Sequence, residues 1–338
     1  MFNFINFDLF SFIISTLVFA IVFDIIIGEL PSKIHPVVII GKIIDFFTDL
    51  FIKIRNKISG LLLFLSTTIV STVILFVLFS VINLNFYLMF IVYGLLLSST
   101  FSIKILLSSA NDISNDLKEG IEKARKSVSY LVSRNTNELS EKLIVSATIE
   151  SLTENITDSY ISPIFYFTLI SAIALLFADN INTFLLVFII LWIPFLFRIS
   201  NTLDAMVGYE NDKLKYIGYF PAKIDDILNY IPARISGFLV VISAFILKLD
   251  WKNSYKIMLR DARKCPSPNS GFTMASTAGA LNIQLVKKDT YILGDNTVEI
   301  DVLHISKAIK LSKFTILLFT VISFLILILI ELLIWKLL

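Results

Sequence analysis

The chain is poor in the residues that most soluble enzymes depend on. It has one cysteine in 338 residues, Cys265, which excludes an intramolecular disulfide framework and supports neither a redox pair nor a zinc site. Charged residues make up only 17% of the chain, against about 25% in average soluble domains. The net charge of +2 comes without any basic run, so nucleic acid is not an expected partner. No GxxxxGK[ST] phosphate loop and no GxGxxG fingerprint occurs. Internal repeats and low-complexity tails are absent. The first apolar run has no basic leader and no small-residue cleavage site, so it reads as a retained span and not a signal peptide.

What fills the chain is apolar: 56% of residues, with a mean hydropathy of +0.83. The excess lies in long runs, which is the pattern of membrane spans and not of an enlarged core. A hydrocarbon layer of about 30 Å needs roughly 20 helical residues. Residues 9–27, 61–80, 86–107, 161–178 and 314–335 meet or approach that length. A shorter run, 184–197, contains Pro194 and pairs with 161–178 as a hairpin turning at Asp179-Asn180. A seventh run, 235–247, suits a buried, re-entrant or interfacial helix.

Lysine and arginine distribution orients these runs. The turns at 83–85 and 179–182 contain neither residue, whereas 28–60 holds five, 108–160 six, 198–234 five and 250–313 ten. The positive-inside rule puts all four rich loops in the cytoplasm. The expectation is therefore an all-α polytopic protein, a single integral membrane domain over residues 1–338. It has about six transmembrane helices, both termini outside, and amphipathic and re-entrant cytoplasmic helices. Within 108–160, Ile113, Leu117, Ile121, Ala124, Val128 and Leu131 recur at helical steps and predict an amphipathic helix. Residues 133–136 break it, with Asn135 or Thr136 capping the next helix, and 285–292 is at most a short hairpin.

Three constellations carry chemistry. Glu150, Glu154 and Asp158 stack at four-residue spacing before a span, a pattern that suits Mg²⁺ or a cationic group as well as a solvated face. Asn201 and Asp204 share a helical face, followed by Asp225, Asp226, Asn229 and Arg234; these are hard oxygen ligands and amide donors suited to Mg²⁺ and phosphate, or to capping. Arg260 and Arg263 lead into a Pro-punctuated loop, in which Ser267, Asn269 and the amides near Gly271 suit an anion. Asp24 near the end of the first span must face protein or the interface. His35, beside Pro36, is more often structural than catalytic.

The same segments resemble the CobD/CbiB family of cobalamin biosynthesis, the adenosylcobinamide-phosphate synthases. The resemblance rests on DIIIGELPSKIHPV (24–37), VSRNT (132–136), ESLTENITD (150–158), NTLDAMVGY (201–209), DDILNYIPAR (225–234) and DARKCPSPNSG (261–271). It implies a prokaryotic cell-membrane enzyme that joins adenosylcobyric acid to aminopropanol or its phosphate, with ATP as co-substrate and Mg²⁺. Related chains use ethanolamine-type amines. It further implies catalytic roles for Glu150, Glu154, Asp158, Asp204 and His35, with the first four as Mg²⁺ ligands. Substrate or phosphate contacts fall to Asn155, Asn201, Asp225, Asp226, Asn229, Arg234, Arg260, Arg263, Ser267, Asn269 and Gly271, and the active site to the four charged loops. The chain departs from the family pattern at Glu29, Asn135, Glu210, Cys265 and Met274, so no catalytic role is carried over to 135, 265 or 274.

Two rival functions use the same raw material. A carrier of an amphipathic metabolite predicts charge buried at mid-span, but Asp24 and Lys104 lie toward span ends. A Mg²⁺-dependent prenyl-lipid transferase wants two Asp-rich repeats on paired helix ends, and only 201–204 and 225–226 offer them. The ordered motif set favours the synthase over both.

Overall fold

A computed structural model describes residues 8–83, 85–178, 180–208 and 212–337. Leu84 and Asp179, in two predicted turns, and Tyr209 and Glu210, at the end of the fourth motif, lie outside the described residues. The described residues are all-α except for one two-stranded hairpin. The chain forms two compact units: Met1–Ser102, Ser162–Leu228 and Ile322–Leu338 in the first, Ile103–Ile161 and Asn229–Val321 in the second.

The first unit contains α1 (Leu9–Ile26), α2 (Pro36–Phe51), α3 (Ile58–Ile82), α4 (Phe86–Ser98), α8 (Ser162–Leu176), α9 (Thr183–Val207) and α10 (Tyr219–Leu228). Aromatic rings knit it together. Phe12 meets Tyr93 edge-on at 5.0 Å, and Phe79 lies 4.9 Å from Phe184. Helices α1 and α4 approach closely because position 94 has no Cβ; one built there would sit 2.3 Å from the Phe19 ring.

The second unit contains α5 (Lys104–Glu119), α6 (Ile121–Ser129), α7 (Glu141–Ile156) with a π-helical end at Thr157–Ile161, α11 (Tyr230–Ile246), α12 (Trp251–Asp261) and α13 (Gly271–Leu281). Strands β1 (Leu285–Lys287) and β2 (Tyr291–Leu293) come next, paired antiparallel with Val286 opposite Ile292. The last helix is α14 (Leu303–Leu337), whose final part belongs to the first unit. Helix α13 is central. Its sequence GFTMASTAGAL is small enough that nearly every residue is buried, and a Cβ at Gly279 would lie 2.6 Å from the Asn253 carbonyl. Cys265, Met274, Ala278, Ile149, Leu285, Leu293 and Ile305 form its principal apolar cluster.

Among the described residues five helices are long and apolar enough to cross a membrane: Leu9–Ile26, Ile58–Ile82, Glu141–Leu176, Thr183–Val207 and Leu303–Lys336. The count rises to six if Tyr219–Leu228 and Tyr230–Ile246 form one broken span. Six is thus reached only by counting a pair that includes 235–247, which was not expected to cross, and the members also differ. Residues 86–107 are not one span. Helix α4 stops at Ser98 because the hydroxyls of Ser98, Ser99 and Thr100 bond back to the carbonyls of Leu95, Leu96 and Leu97 at 2.6–2.8 Å, offering the backbone an alternative to the helix ladder. Thirteen residues reach about 20 Å, short of a bilayer core. Run 184–197 is instead the middle of a 25-residue helix that passes through Pro194, and 235–247 extends back to Tyr230.

The amphipathic helix expected across 113–131 is divided at Gly120, whose φ of +154° falls where only glycine is at ease. Its inward residues Ile113, Ala124 and Val128 still pack together, against Ile144 and Ala147. The next helix is not capped by Asn135 or Thr136. Ser140 is the N-cap, its Oγ accepting from the Leu143 N–H, while Asn135 Oδ1 accepts from the Asn137 N–H in the preceding turn.

Candidate functional site

In the second unit a buried carboxylate organises the polar groups. Glu150, on the buried side of α7, is 4% exposed. Its Oε1 accepts from Ser146 Oγ at 2.6 Å, one turn earlier. Its Oε2 accepts from Tyr291 Oη at 2.9 Å and from Arg134 Nη2 at 3.2 Å. The β hairpin delivers Tyr291 and is itself tied to α7, since the Val286 N–H donates to Ser146 Oγ at 2.8 Å. Burial and the neighbouring Glu150 and Glu154 raise the Tyr291 phenol, which therefore stays a donor. The hydroxyl also lies 3.7 Å from Met274 Sδ on the first turn of α13. Beside this cluster opens a polar cavity of ≈ 540 Å³, whose lining includes Ser146, Lys142, Gln284, Asn296 and Glu299.

Glu154 and Asp158 lie further along the same segment and are half-buried. Their common face is not that of an ideal helix, because Asp158 lies in the π turn, where about one extra residue per turn rotates the residues beyond it around the axis. The Asn155 amide bonds to the Ser151 carbonyl of its own helix at 2.9 Å.

The Pro-punctuated loop is held from within the same unit. The Arg234 guanidinium stacks on the Tyr230 and Phe272 rings, 3.4 and 4.5 Å from their centroids, and donates to Asn269 Oδ1 at 3.0 Å and to the Pro268 carbonyl at 3.4 Å. Ser267 Oγ accepts from the Asn269 N–H, and Asn269 and Asn229 are buried. Gly271 is needed for packing: a Cβ there would sit 2.0 Å from the Ala262 carbonyl oxygen.

Arg260 was expected to hold phosphate, but it is engaged by two carboxylates. It donates to both oxygens of Asp261 at 2.8 Å and pairs with Asp295 at 2.9 Å. Asp261 is fully buried and also accepts from Lys264 Nζ at 2.6 Å and the Gly294 N–H at 2.8 Å. Burial works to raise its carboxyl, but these donors outweigh it and bring it down to about 2. Arg263 points to solvent and has no ion-pair partner among the described residues. Burial pushes the Cys265 thiol up to about 12 despite a hydrogen bond from Ser270, with Glu154 and Glu150 adding to the rise.

In the first unit Asn201 is a bridge. It accepts from Arg198 Nη1 at 3.0 Å and donates to the buried Asp225 at 3.4 Å, while Arg198 Nε also donates to the Thr100 carbonyl at 2.7 Å. Asp226 pairs with Lys223 at 3.7 Å. Asp204 sits on the last turn of α9 with its carboxylate against Gly208. His35 caps α2: its Nδ1 accepts from the Val37 N–H at 3.2 Å, which places the ring proton on Nε2. Burial lowers its pKa, with Glu29 opposing and Arg198 adding to the effect.

Among the described residues no three His, Cys, Asp or Glu side chains converge where they could hold a metal ion. Glu150 already has three protein donors. Sequence reasoning assigned no role to Arg134, Ser146 or Tyr291. Arg134 lay in a quoted motif, whereas nothing in the sequence linked Tyr291 to residue 150 across 141 positions.

Several helices long and apolar enough to cross a membrane define the class: an α-helical, multi-pass membrane protein. The chain belongs to the CobD/CbiB family, whose model, described as CobD/Cbib protein, matches residues 17–312. It is 44% identical to the probable cobalamin biosynthesis protein CobD of Methanothermobacter thermautotrophicus, over 91% of this chain and 95% of that one. It is 40% identical to the protein of the same name from Methanocaldococcus jannaschii, over 90% and 94% of the two chains. With that from Methanothrix thermoacetophila it shares 35% identity over 94% and 98%. No solved structure matches the chain.

Proposed function

We propose that this protein is the membrane-bound acid–amine ligase of cobalamin biosynthesis, joining adenosylcobyric acid to aminopropanol or aminopropanol phosphate with consumption of ATP. The role in cobalamin biosynthesis rests on family membership over most of the chain. The observation that supports a chemical role is the pinned Glu150 carboxylate, with Glu154 and Asp158 half-buried just beyond it. A loop face kept only for solubility would not be buried and bonded on both oxygens.

Amide formation at neutral pH needs the carboxylate oxygen made into a leaving group. In the proposed sequence the corrinoid carboxylate attacks the terminal phosphorus of ATP, giving an acyl phosphate and ADP. The neutral amine then attacks the acyl carbon, the C–O bond to phosphate breaks, and the ammonium proton passes to a carboxylate. Glu150 is an unsuitable base because its lone pairs are committed; it positions Arg134 and Tyr291. Glu154 is the proposed proton acceptor, with Asp158 attracting the amine. Arg263, exposed in the middle of its 3₁₀ turn, is the better phosphate ligand of the two loop arginines.

Purified protein in nanodiscs, given adenosylcobyric acid, ATP and either amine, should yield an amide product by mass spectrometry together with ADP. Glu154→Gln should lose at least about 100-fold in turnover, the scale of a general-base contribution. No amide with either amine overturns the reading; near-normal turnover of the variant overturns only the role of Glu154.

A further inference from the structure

Helix α12 has an apolar face that the core of its unit leaves uncovered. Ser254, Ile257, Met258 and Asp261 turn inward and are buried. At about 100° per residue, Trp251, Tyr255 and Leu259 succeed one another at roughly 0°, 40° and 80° around the helix. They are 39%, 42% and 60% exposed. Lys252 and Lys256, also exposed, fall at roughly 100° and 140°. The order around the helix is therefore core, apolar stripe, basic stripe. No acid interrupts the two outer stripes: Asp250 is turned to its capping bond with the Asn253 N–H and to Asn282, and Asp261 is buried.

The apolar stripe continues onto α11. Phe238, Ile242 and Phe245, at i, i+4 and i+7, are exposed along one side of that helix. Trp251 meets Phe245 edge-on at 5.6 Å, and Tyr255 lies 6.2 Å from Phe238. The opposite side of α11 packs tightly, since a Cβ at Gly237 would approach Met258 Sδ to 2.9 Å. Joined to α10, helix α11 is also long and apolar enough to form a broken span. At 11 residues, about 16 Å, α12 is too short to cross a bilayer.

A contiguous apolar face of this kind excludes water as its normal neighbour. Tryptophan and tyrosine beside snorkelling lysines are the composition of a helix lying in a headgroup layer. We infer that the α11–α12 face is a lipid-contacting surface. Helix α12 lies along the boundary of one leaflet, with Trp251, Tyr255 and Leu259 at the upper acyl chains and Lys252 and Lys256 on anionic headgroups. The Phe238–Phe245 side of α11 faces the acyl layer. This surface is independent of the ligase reading.

The test uses the full chain in nanodiscs of mixed phosphatidylcholine and phosphatidylglycerol. Phe replacements at Trp192 and Trp335 leave Trp251 as the sole tryptophan. Lipid brominated high on the acyl chain should quench its emission at least about twofold more than lipid brominated near the methyl end, and aqueous iodide should act weakly. Brominated phosphatidylglycerol should quench better than brominated phosphatidylcholine, an advantage that falls about fivefold for each lysine replaced in Lys252→Gln and Lys256→Gln. Efficient iodide quenching without lipid quenching would mean that the face is in water and would overturn the inference. Quenching by neither would mean that protein covers it, a second copy included, and would overturn it equally. Trp192 Nε1 bonds Thr72, so its replacement can disturb folding. An environment-sensitive dye on Leu259→Cys then reports the same face with the same outcomes.

Discussion

Replacing Glu150 by Leu and Arg134 by Met together should destabilise the protein by clearly less than the sum of the two single replacements. The side chains of Glu150 and Arg134 are 5% and 17% exposed. Removing one member of a buried pair leaves the other charge uncompensated and costs about 3–5 kcal/mol. Arg134 retains some contact with water, which places the single change near the lower end, about 3 kcal/mol. Ser146 and Tyr291 lose an acceptor in the same step, each adding roughly 1 kcal/mol if left unpaired. The sum is about 4–5 kcal/mol, or a fall in melting temperature of roughly 8–20 °C at 2–4 °C per kcal/mol. Arg134→Met alone leaves a buried carboxylate that still has two hydroxyl donors, so its loss should be smaller, about 3 kcal/mol. Arg134→Met with Glu150→Leu removes both charges, and the double-mutant cycle should return a coupling of about 2–3 kcal/mol. Thermal unfolding in detergent, monitored by tryptophan fluorescence, measures all three. Additive losses, or a Glu150→Leu variant melting within about 2 °C of the parent, would refute the claim that this pair is desolvated and mutually compensating.

Asp261→Asn should lower stability most at neutral pH. The folded carboxyl lies below its unfolded value, so its contribution is fully present above about pH 4 and is lost as pH falls through about 2; the gap between parent and variant should close over that window. A gap that persists at about pH 2 would show that Arg260, Lys264 and Gly294 do not recognise the ionised form. Cys265 should resist maleimide in the folded protein at about pH 7.5 and react once denaturant is added, because the thiol is buried and raised to about 12. The native thiol therefore cannot report topology, and Lys288→Cys, exposed on the hairpin turn, takes its place; labelling from outside intact cells would contradict a cytoplasmic 250–313 segment. His35→Ala should cost about 1 kcal/mol and His35→Asn much less, since asparagine restores the N-cap acceptor. The folded pKa of His35 is lowered, so its capping contribution is present above about pH 6.5 and fades as pH falls further; a variant difference independent of pH would oppose the capping assignment.

The apolar runs were legible where nothing competes with the helix ladder, as in α1, α3 and α14. They misled where side chains interfere with that ladder. Three consecutive hydroxyls end α4 at Ser98, and hydropathy averaged over 86–107 does not register them. Gly120 divides an amphipathic pattern whose inward residues were correctly chosen except for Ile121, which is exposed. The carboxylate stack was legible as spacing, but its environment was not. Spacing on α7 cannot reveal a tyrosine arriving from a hairpin 141 residues later, nor the π turn that re-aims Asp158.

The charged motifs divide by how many of their bonds the protein itself fills. Arg260 was assigned to phosphate from its place before the loop, yet Asp261 adjoins it and Lys264 stands three residues beyond the acid, a local signal of mutual neutralisation. Arg234 serves two ring faces and two loop oxygens, and His35 has its Nδ1 lone pair committed to a backbone amide. Glu150 accepts three donors of the roughly four a carboxylate can take. A substrate would have to break these contacts to use these side chains, at the desolvation cost of each partner released. The groups that stiffen the polar clusters are therefore poor candidates for touching the reacting atoms, even though they stand in the same motifs. Arg263, with its guanidinium in solvent, is under no such constraint. Mutagenesis that separates a loss of melting temperature from a loss of turnover would tell the two kinds apart: the pinned residues should move both, whereas Arg263 should move turnover first.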